Sequence, residues 1–272
     1  MEASVPVKHT VTNLIRSLIY EFIGSAMVVY GYNFAFTGYM SRGFTYFVGW
    51  IMAASVSGAH FNPATSLAVY LVEGKYLRQI GRLLLYWLFQ IMGAFAGILM
   101  TYLIFNRPFL GFFLWPYIQT PEALYWYFSP QGNLYYGKFC FLEILNTLTF
   151  TWVYLLVIYK PSLRTVDEIV KGIGLGTTLW ICYYLSAWSG ACLNPALGLA
   201  QTCYQIGFLN GADQNGNGFA SLIWVYMTMP LIGAIFAAIL FKLNVYLDNK
   251  ALQQVERPVA APAPVAVAAA PL

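Results

Sequence analysis

"SGAHFNPATSLA" at residues 57–68 and "SGACLNPALGLA" at residues 189–200 agree at 8 of 12 positions, and their Asn-Pro-Ala cores lie 132 residues apart in a chain of 272. Each half-polar phrase stands between long apolar stretches. Asn is a favoured helix N-cap and Pro a favoured first helical residue. Asn62-Pro63-Ala64 and Asn194-Pro195-Ala196 therefore each read as the start of a helix. Both helices are short, 63–72 before Glu73-Gly74 and 195–206 before Gly207. Ten residues rise only about 15 Å, half the depth of a bilayer core. Irregular backbone at that depth is tolerated only where it is buried in protein or lines a cavity.

The flanking stretches are of membrane length. The chain is 60% hydrophobic, 18% aromatic and 9% charged, against about 25% charged residues in a soluble domain. Its solvent is a bilayer. Leu14–Phe36, Leu83–Phe105, Phe139–Tyr159, Ile173–Trp188 and Ala220–Phe241 read as spans. Phe44–Val56 reads as a sixth that borrows length from the turn at Ser41–Gly43, since a span needs about 20 residues. The opening "MEASVPVKHTVTN" is too polar for a signal peptide, so the first helix is expected to stay uncleaved.

With six spans both termini share a side, which collects eleven of the 14 Lys and Arg residues; Arg42, Arg107 and Lys138 fall opposite. That bias predicts cytosolic termini. The net charge of +4 then reports topology, and no nucleic-acid partner is expected. Cys140, Cys182, Cys192 and Cys203 lie in or near apolar segments without ligand spacing and read as buried small apolar residues. No nucleophile–base pair, phosphate loop or metal-ligand cluster is present in the sequence, so neither catalysis nor a cofactor is expected.

The repetition extends beyond the two phrases. "YEFIGSAMVVY" (20–30) matches "LEILNTLTFTWVY" (142–154), each with one Glu early in an apolar helix, and "QIMGAFAGIL" (90–99) matches "PLIGAIFAAIL" (230–240). Three matched pairs in one order mean two homologous halves. The expected division is a cytosolic segment 1–11, a first repeat 12–105, an extracellular connection 106–136, a second repeat 137–247 and an Ala/Pro-rich cytosolic tail 248–272. Three spans per half force the second half to enter the membrane inverted. The predicted fold is an all-α membrane protein, with six transmembrane helices and two re-entrant half-helices in an inverted repeat.

On SGAHFNPAT, SGACLNPAL, the "EFIG" of the first helix, Glu143, Gln90 in "FQIMGA" and "PLIGA", the chain resembles the aquaporin (major intrinsic protein) family over nearly its whole length. The resemblance implies a passive channel for water and small neutral solutes such as glycerol, urea or ammonia, embedded in lipid as a homotetramer. It implies that Asn62 and Asn194 cap the half-helices and aim their amides at the pore centre. Carbonyls of Gly58, Ala59 and His60, and of Gly190, Ala191 and Cys192, would form an acceptor ladder. Glu21 and Glu143 would hold the two loops, and Gly93, Ala94, Gly233 and Ala234 would allow close helix contact.

The chain departs from the family at the outer filter. Leu197 stands where the usual Arg follows the second Asn, Cys182 stands where water-selective members have His, and Ala191 and Gly198 are small. These residues predict a wider, less polar gate. Arg42, twenty residues before Asn62, either supplies the missing charge from the opposite wall or snorkels at the membrane surface; with a shifted count Phe44 or Tyr46 would face the gate instead. His60 is either a pH sensor or a residue lending its carbonyl. "DQNGNG" (213–218) opens like a calcium loop but has Trp224 where a bidentate Glu is needed, and reads as a polar turn. The aromatic-rich 106–137 loop is expected either over the extracellular mouth or in the interfacial belt. The remaining alternative is a non-conducting relative kept as a structural subunit of a membrane assembly.

Overall fold

The computed structural model describes residues 11–34, 40–105, 136–163, 165–208 and 219–255. The 106–135 part of the connecting loop, the DQNGNG turn, the first ten residues and the tail beyond 255 lie outside them. Among the described residues eight α-helices follow in chain order: α1 Val11–Asn33, α2 Met40–Ser57, α3 Pro63–Glu73, α4 Tyr76–Phe105, α5 Tyr136–Tyr159, α6 Glu168–Leu185, α7 Pro195–Phe208 and α8 Ile223–Val255. Among the described residues α1, α4, α5 and α8 are long and apolar enough to cross a membrane. The 18-residue α2 and α6 complete the six spans, each rising about 27 Å. The half-helices run 11 residues in α3 and 14 in α7, slightly longer than the motif reading placed them.

The burial pattern is that of a protein solvated by lipid. Ile15, Ile19 and Ile23 form one exposed stripe on α1, and Leu84, Leu88, Phe95 and Leu99 contribute another on α4. Polar side chains face inward instead: Glu21, Glu143 and Gln90 are fully buried, as intramembrane polar groups must be to find partners.

Packing follows a pseudo-two-fold scheme. α1 packs on α4 as α5 packs on α8, α3 packs on α8 as α7 packs on α4, and α2 crosses α6. Glycines set these approaches. A Cβ on Gly93 would stand 2.2 Å from the Phe22 carbonyl oxygen of α1, and one on Gly233 2.5 Å from that of Ile144 in α5. At the α2–α6 crossing the contact is reciprocal: a Cβ on Gly43 would lie 2.2 Å from the Gly176 carbonyl, and one on Gly176 2.8 Å from that of Gly43. Only a side chain no larger than hydrogen lets these backbones meet.

Three expectations need correction. The fifth span ends at Leu185, and Trp188 belongs to a separate 3-10 turn, Ala187–Ser189, because the chain must bend there to enter the second loop. Ser41–Gly43 is helical from the first turn of α2, so that span reaches its length as ordinary helix. Cys203 is exposed on α7, because it faces away from the side that packs on α4 and α8.

Candidate functional site: two re-entrant loops

The chain leaves α2 at Ser57 and takes a path that neither helix nor strand can continue. Gly58, Ala59 and Phe61 have φ of 92°, 52° and 50°; in the second loop Gly190, Ala191 and Leu193 have 94°, 54° and 53°. Left-handed backbone costs a non-glycine residue about 1–2 kcal/mol, so each loop needs outside support. A buried carboxylate provides it. Glu21 accepts from Ser57 Oγ at 2.6 Å, His60 N at 3.0 Å, Phe61 N at 2.7 Å and Gln90 Nε2 at 2.8 Å. Glu143 accepts from Ser189 Oγ at 2.5 Å, Cys192 N at 3.1 Å and Leu193 N at 2.7 Å.

Each loop ends in an N-cap. Asn62 Oδ1 accepts from Ala64 N at 2.8 Å, and Asn194 Oδ1 accepts from Ala196 N at 3.0 Å. Pro63 and Pro195 each take the first position of the following helix, where a missing N–H costs nothing. The amide nitrogens bind across the dyad: Asn62 Nδ2 donates to Leu193 O at 2.8 Å and Asn194 Nδ2 to Phe61 O at 2.9 Å. The positive ends of the two half-helices are thereby fastened to one another, each asparagine keeping a second amide hydrogen.

The carbonyls at 58–60 and 190–192 are not all open. Tyr154 Oη donates to Gly58 O at 2.5 Å, Tyr46 Oη to Ala59 O at 2.8 Å and Tyr32 Oη to Gly190 O at 2.6 Å. Tyr86 and Tyr226 make the equivalent bonds to Ser57 O and Ser189 O, at 3.0 and 2.7 Å. Sequence reasoning missed these tyrosines as loop supports, naming only Tyr46 and that as an alternative gate residue. One signal was present: Tyr32 follows Glu21, and Tyr154 follows Glu143, by the same eleven residues, three helical turns and therefore one face. α1 and α5 thus each hold one loop by carboxylate and the other by hydroxyl.

Of the residues expected at an outer filter, Cys182, Ala191 and Leu197 are fully buried. Arg42 is 2% exposed, so it lies inside the bundle and does not snorkel outward. Its Nε donates to Tyr32 O at 3.3 Å, and the guanidinium lies 3.6 Å from the Tyr32 ring centroid and 5.5 Å from that of Tyr183. Phe44 points outward at 56% exposure, while Tyr46, one turn from Arg42, is buried. The His60 ring engages Ser66 Oγ through Nδ1 at 3.0 Å. Beneath the first loop a cavity of about 310 Å³ runs from a rim at Glu73, Arg82 and Tyr159 to Gly58, His60 and Tyr154.

Six spans, two half-helices meeting at capped N-termini and a two-fold scheme of packing define a membrane channel architecture. Residues 2–241 match the major intrinsic protein family, and the chain belongs to that family of membrane channels for water and small solutes. It is 25% identical to aquaporin-8 of Mus musculus over 253 residues, 87% of this chain and 82% of that one. It is 26% identical to aquaporin TIP1-1 of Zea mays over 209 residues, 75% and 69% of the two chains. In fold it is similar to the aquaglyceroporin from Plasmodium falciparum, with a TM-score of 0.66 and 21% identity over 87% of this chain and 99% of that one.

Proposed function

We propose that the chain is a passive channel for water and small neutral solutes such as glycerol, urea or ammonia, with its centre at Asn62 and Asn194. The supporting observation is the reciprocal pair of amide bonds that holds two half-helix N-termini together at the ends of two inverted loops. Positive helix ends repel cations there, and side-chain amides orient a passing hydroxyl or amine without relaying protons. Arg42, buried at the extracellular end of α2, supplies the outer filter with the charge that Leu197 lacks, beside Cys182 and Ala191. Free lone pairs of the carbonyls at 58–60 and 190–192 receive the solute. The termini are cytosolic on the Lys and Arg bias, and the assembly is a homotetramer on the family resemblance.

Stopped-flow light scattering of liposomes holding the full chain tests this reading with sucrose, glycerol and urea gradients. Water flux above empty liposomes, with solute entry following and no proton leak, is expected; an osmotic response equal to that of empty liposomes defeats it. Arg42→Ala is expected to admit small cations while leaving water flux at least as fast, read as conductance in planar bilayers. A second reading, a non-conducting structural subunit, draws on the tyrosine hydroxyls seated on Gly58, Ala59 and Gly190, and the same flux measurement decides it.

A further inference from the structure

We propose that Tyr154 and Tyr32 are a pair of permeation gates, each latched by its hydroxyl to a carbonyl of the re-entrant loop belonging to the opposite half of the chain. The proposal rests on the channel reading above and deepens it by naming what controls passage.

Tyr154 stands at the inner end of the cavity beneath the first loop, beside Gly58 and His60. Its hydroxyl closes onto the Gly58 carbonyl at 2.5 Å. Its ring packs edge-on against His60 and Trp50, at 5.8 and 6.2 Å between centroids. Tyr154 lines this cavity and Asn62 does not, as a gate between the two requires. Tyr32 repeats the latch in the second loop: its hydroxyl holds the Gly190 carbonyl at 2.6 Å, and its ring is covered by the Arg42 guanidinium at 3.6 Å and flanked by Tyr183 at 6.0 Å.

The placement is duplicated, as a pore element should be in an inverted repeat. Each tyrosine lies eleven residues after a loop-holding Glu on the same helix, about 16 Å farther along the axis, and so reaches the other half's loop. The hydroxyl proton is committed to a backbone carbonyl, which takes from the ladder one of the lone pairs a solute would use. A single hydrogen bond is a weak latch: removing it should favour the open rotamer about fivefold, the equivalent of about 1 kcal/mol. Tyr226 makes the same kind of bond to Ser189 O at 2.7 Å, but outside the 190–192 ladder, and serves as a brace.

The test uses the full chain in liposomes at matched protein density, with water flux read by stopped-flow light scattering. Tyr154→Phe and Tyr32→Phe keep the ring and remove the latch. Each is expected to raise water permeability about fivefold and the double variant further, while Tyr226→Phe stays at the wild-type rate. Because the two gates lie in different halves, a variant that fails to insert leaves the other as the test, and Tyr154→Ala, which removes the ring itself, should also speed flux. A conducting wild type whose Phe variants are no faster, or slower, overturns the gates and leaves the channel reading standing. Wild type and every variant indistinguishable from empty liposomes overturn both.

Discussion

The two re-entrant loops follow nearly the same backbone path and are built from different materials. In the first, His60 Nδ1 meets Ser66 Oγ at 3.0 Å, and Gln90 Nε2 reaches both Ser66 Oγ and Glu21 Oε2 at 2.8 Å. The aligned positions of the second half hold Cys192, Gly198 and Pro230. There the thiol of Cys192 turns to Asn194 O at 3.0 Å, and Gly198 lies so close to α8 that a Cβ would stand 2.7 Å from Tyr226 Cβ. One loop is supported by a connected polar network, the other by a carboxylate and close packing. The left-handed φ values agree within a few degrees in both, so the backbone path follows from what the loops share: two backbone N–H bonds to a Glu and an Asn cap.

Removing the shared element should have the largest effect and should separate the halves. Glu143→Ala orphans the N–H groups of Cys192 and Leu193 in a fully buried site, at about 1–3 kcal/mol each. Glu21→Ala orphans those of His60 and Phe61, but Gln90 is adjacent and its Oε1 has no hydrogen-bond partner among the described residues. A turned Gln90 amide can accept one of the two bonds. Glu143→Ala is therefore expected to lower the melting temperature of the detergent-solubilised protein more than Glu21→Ala does. Equal losses would mean that Gln90 gives the first loop no extra support.

The second effect in size comes from making the second loop resemble the first. Gly198→Ser adds a Cβ 2.7 Å from Tyr226 Cβ and 3.0 Å from Cys192 Sγ. Overpacking of this kind costs about 1–3 kcal/mol, and the new hydroxyl finds no counterpart of Gln90 at Pro230. Thermal unfolding should show a clear loss, whereas a gain would mean that the loop has room for a polar network it does not use.

Much of this was legible in the residues because the relevant partners carry a side-chain signature. Glu21, Glu143, the asparagines and the close-contact glycines are rare or distinctive types in an apolar helix, and each recurs at a matched place in the other half. The tyrosines escaped because their partners are backbone carbonyls, which have no residue identity, and because Tyr is one of 21 in the chain. Arg42 could not be decided from counting, since its direction depends on the phase of α2. The structure begins that helix at Met40 and turns Arg42 and Tyr46 inward and Phe44 outward. Gly43 and Gly176 were passed over for a related reason: nothing in sequence indicates that α2 and α6 cross at those two positions.

The smallest expected effect tests the network alone. Ser66→Ala removes the hydroxyl that joins His60 to Gln90 and leaves Glu21 with all four of its donors, including Gln90 Nε2. Net loss for one neutral hydrogen-bonding group is about 1 kcal/mol, well below that of either carboxylate variant. Its consequence should be local, because Ser66 also lines the cavity beneath the first loop and His60 would lose its partner on Nδ1. Hydrogen exchange at the amides of 58–61 should quicken relative to 190–193, and the melting temperature should fall only slightly. If both loops quicken together, the Asn62–Leu193 and Asn194–Phe61 bonds couple them so tightly that the halves cannot be loosened one at a time. The difference in their construction would then have no separate mechanical consequence.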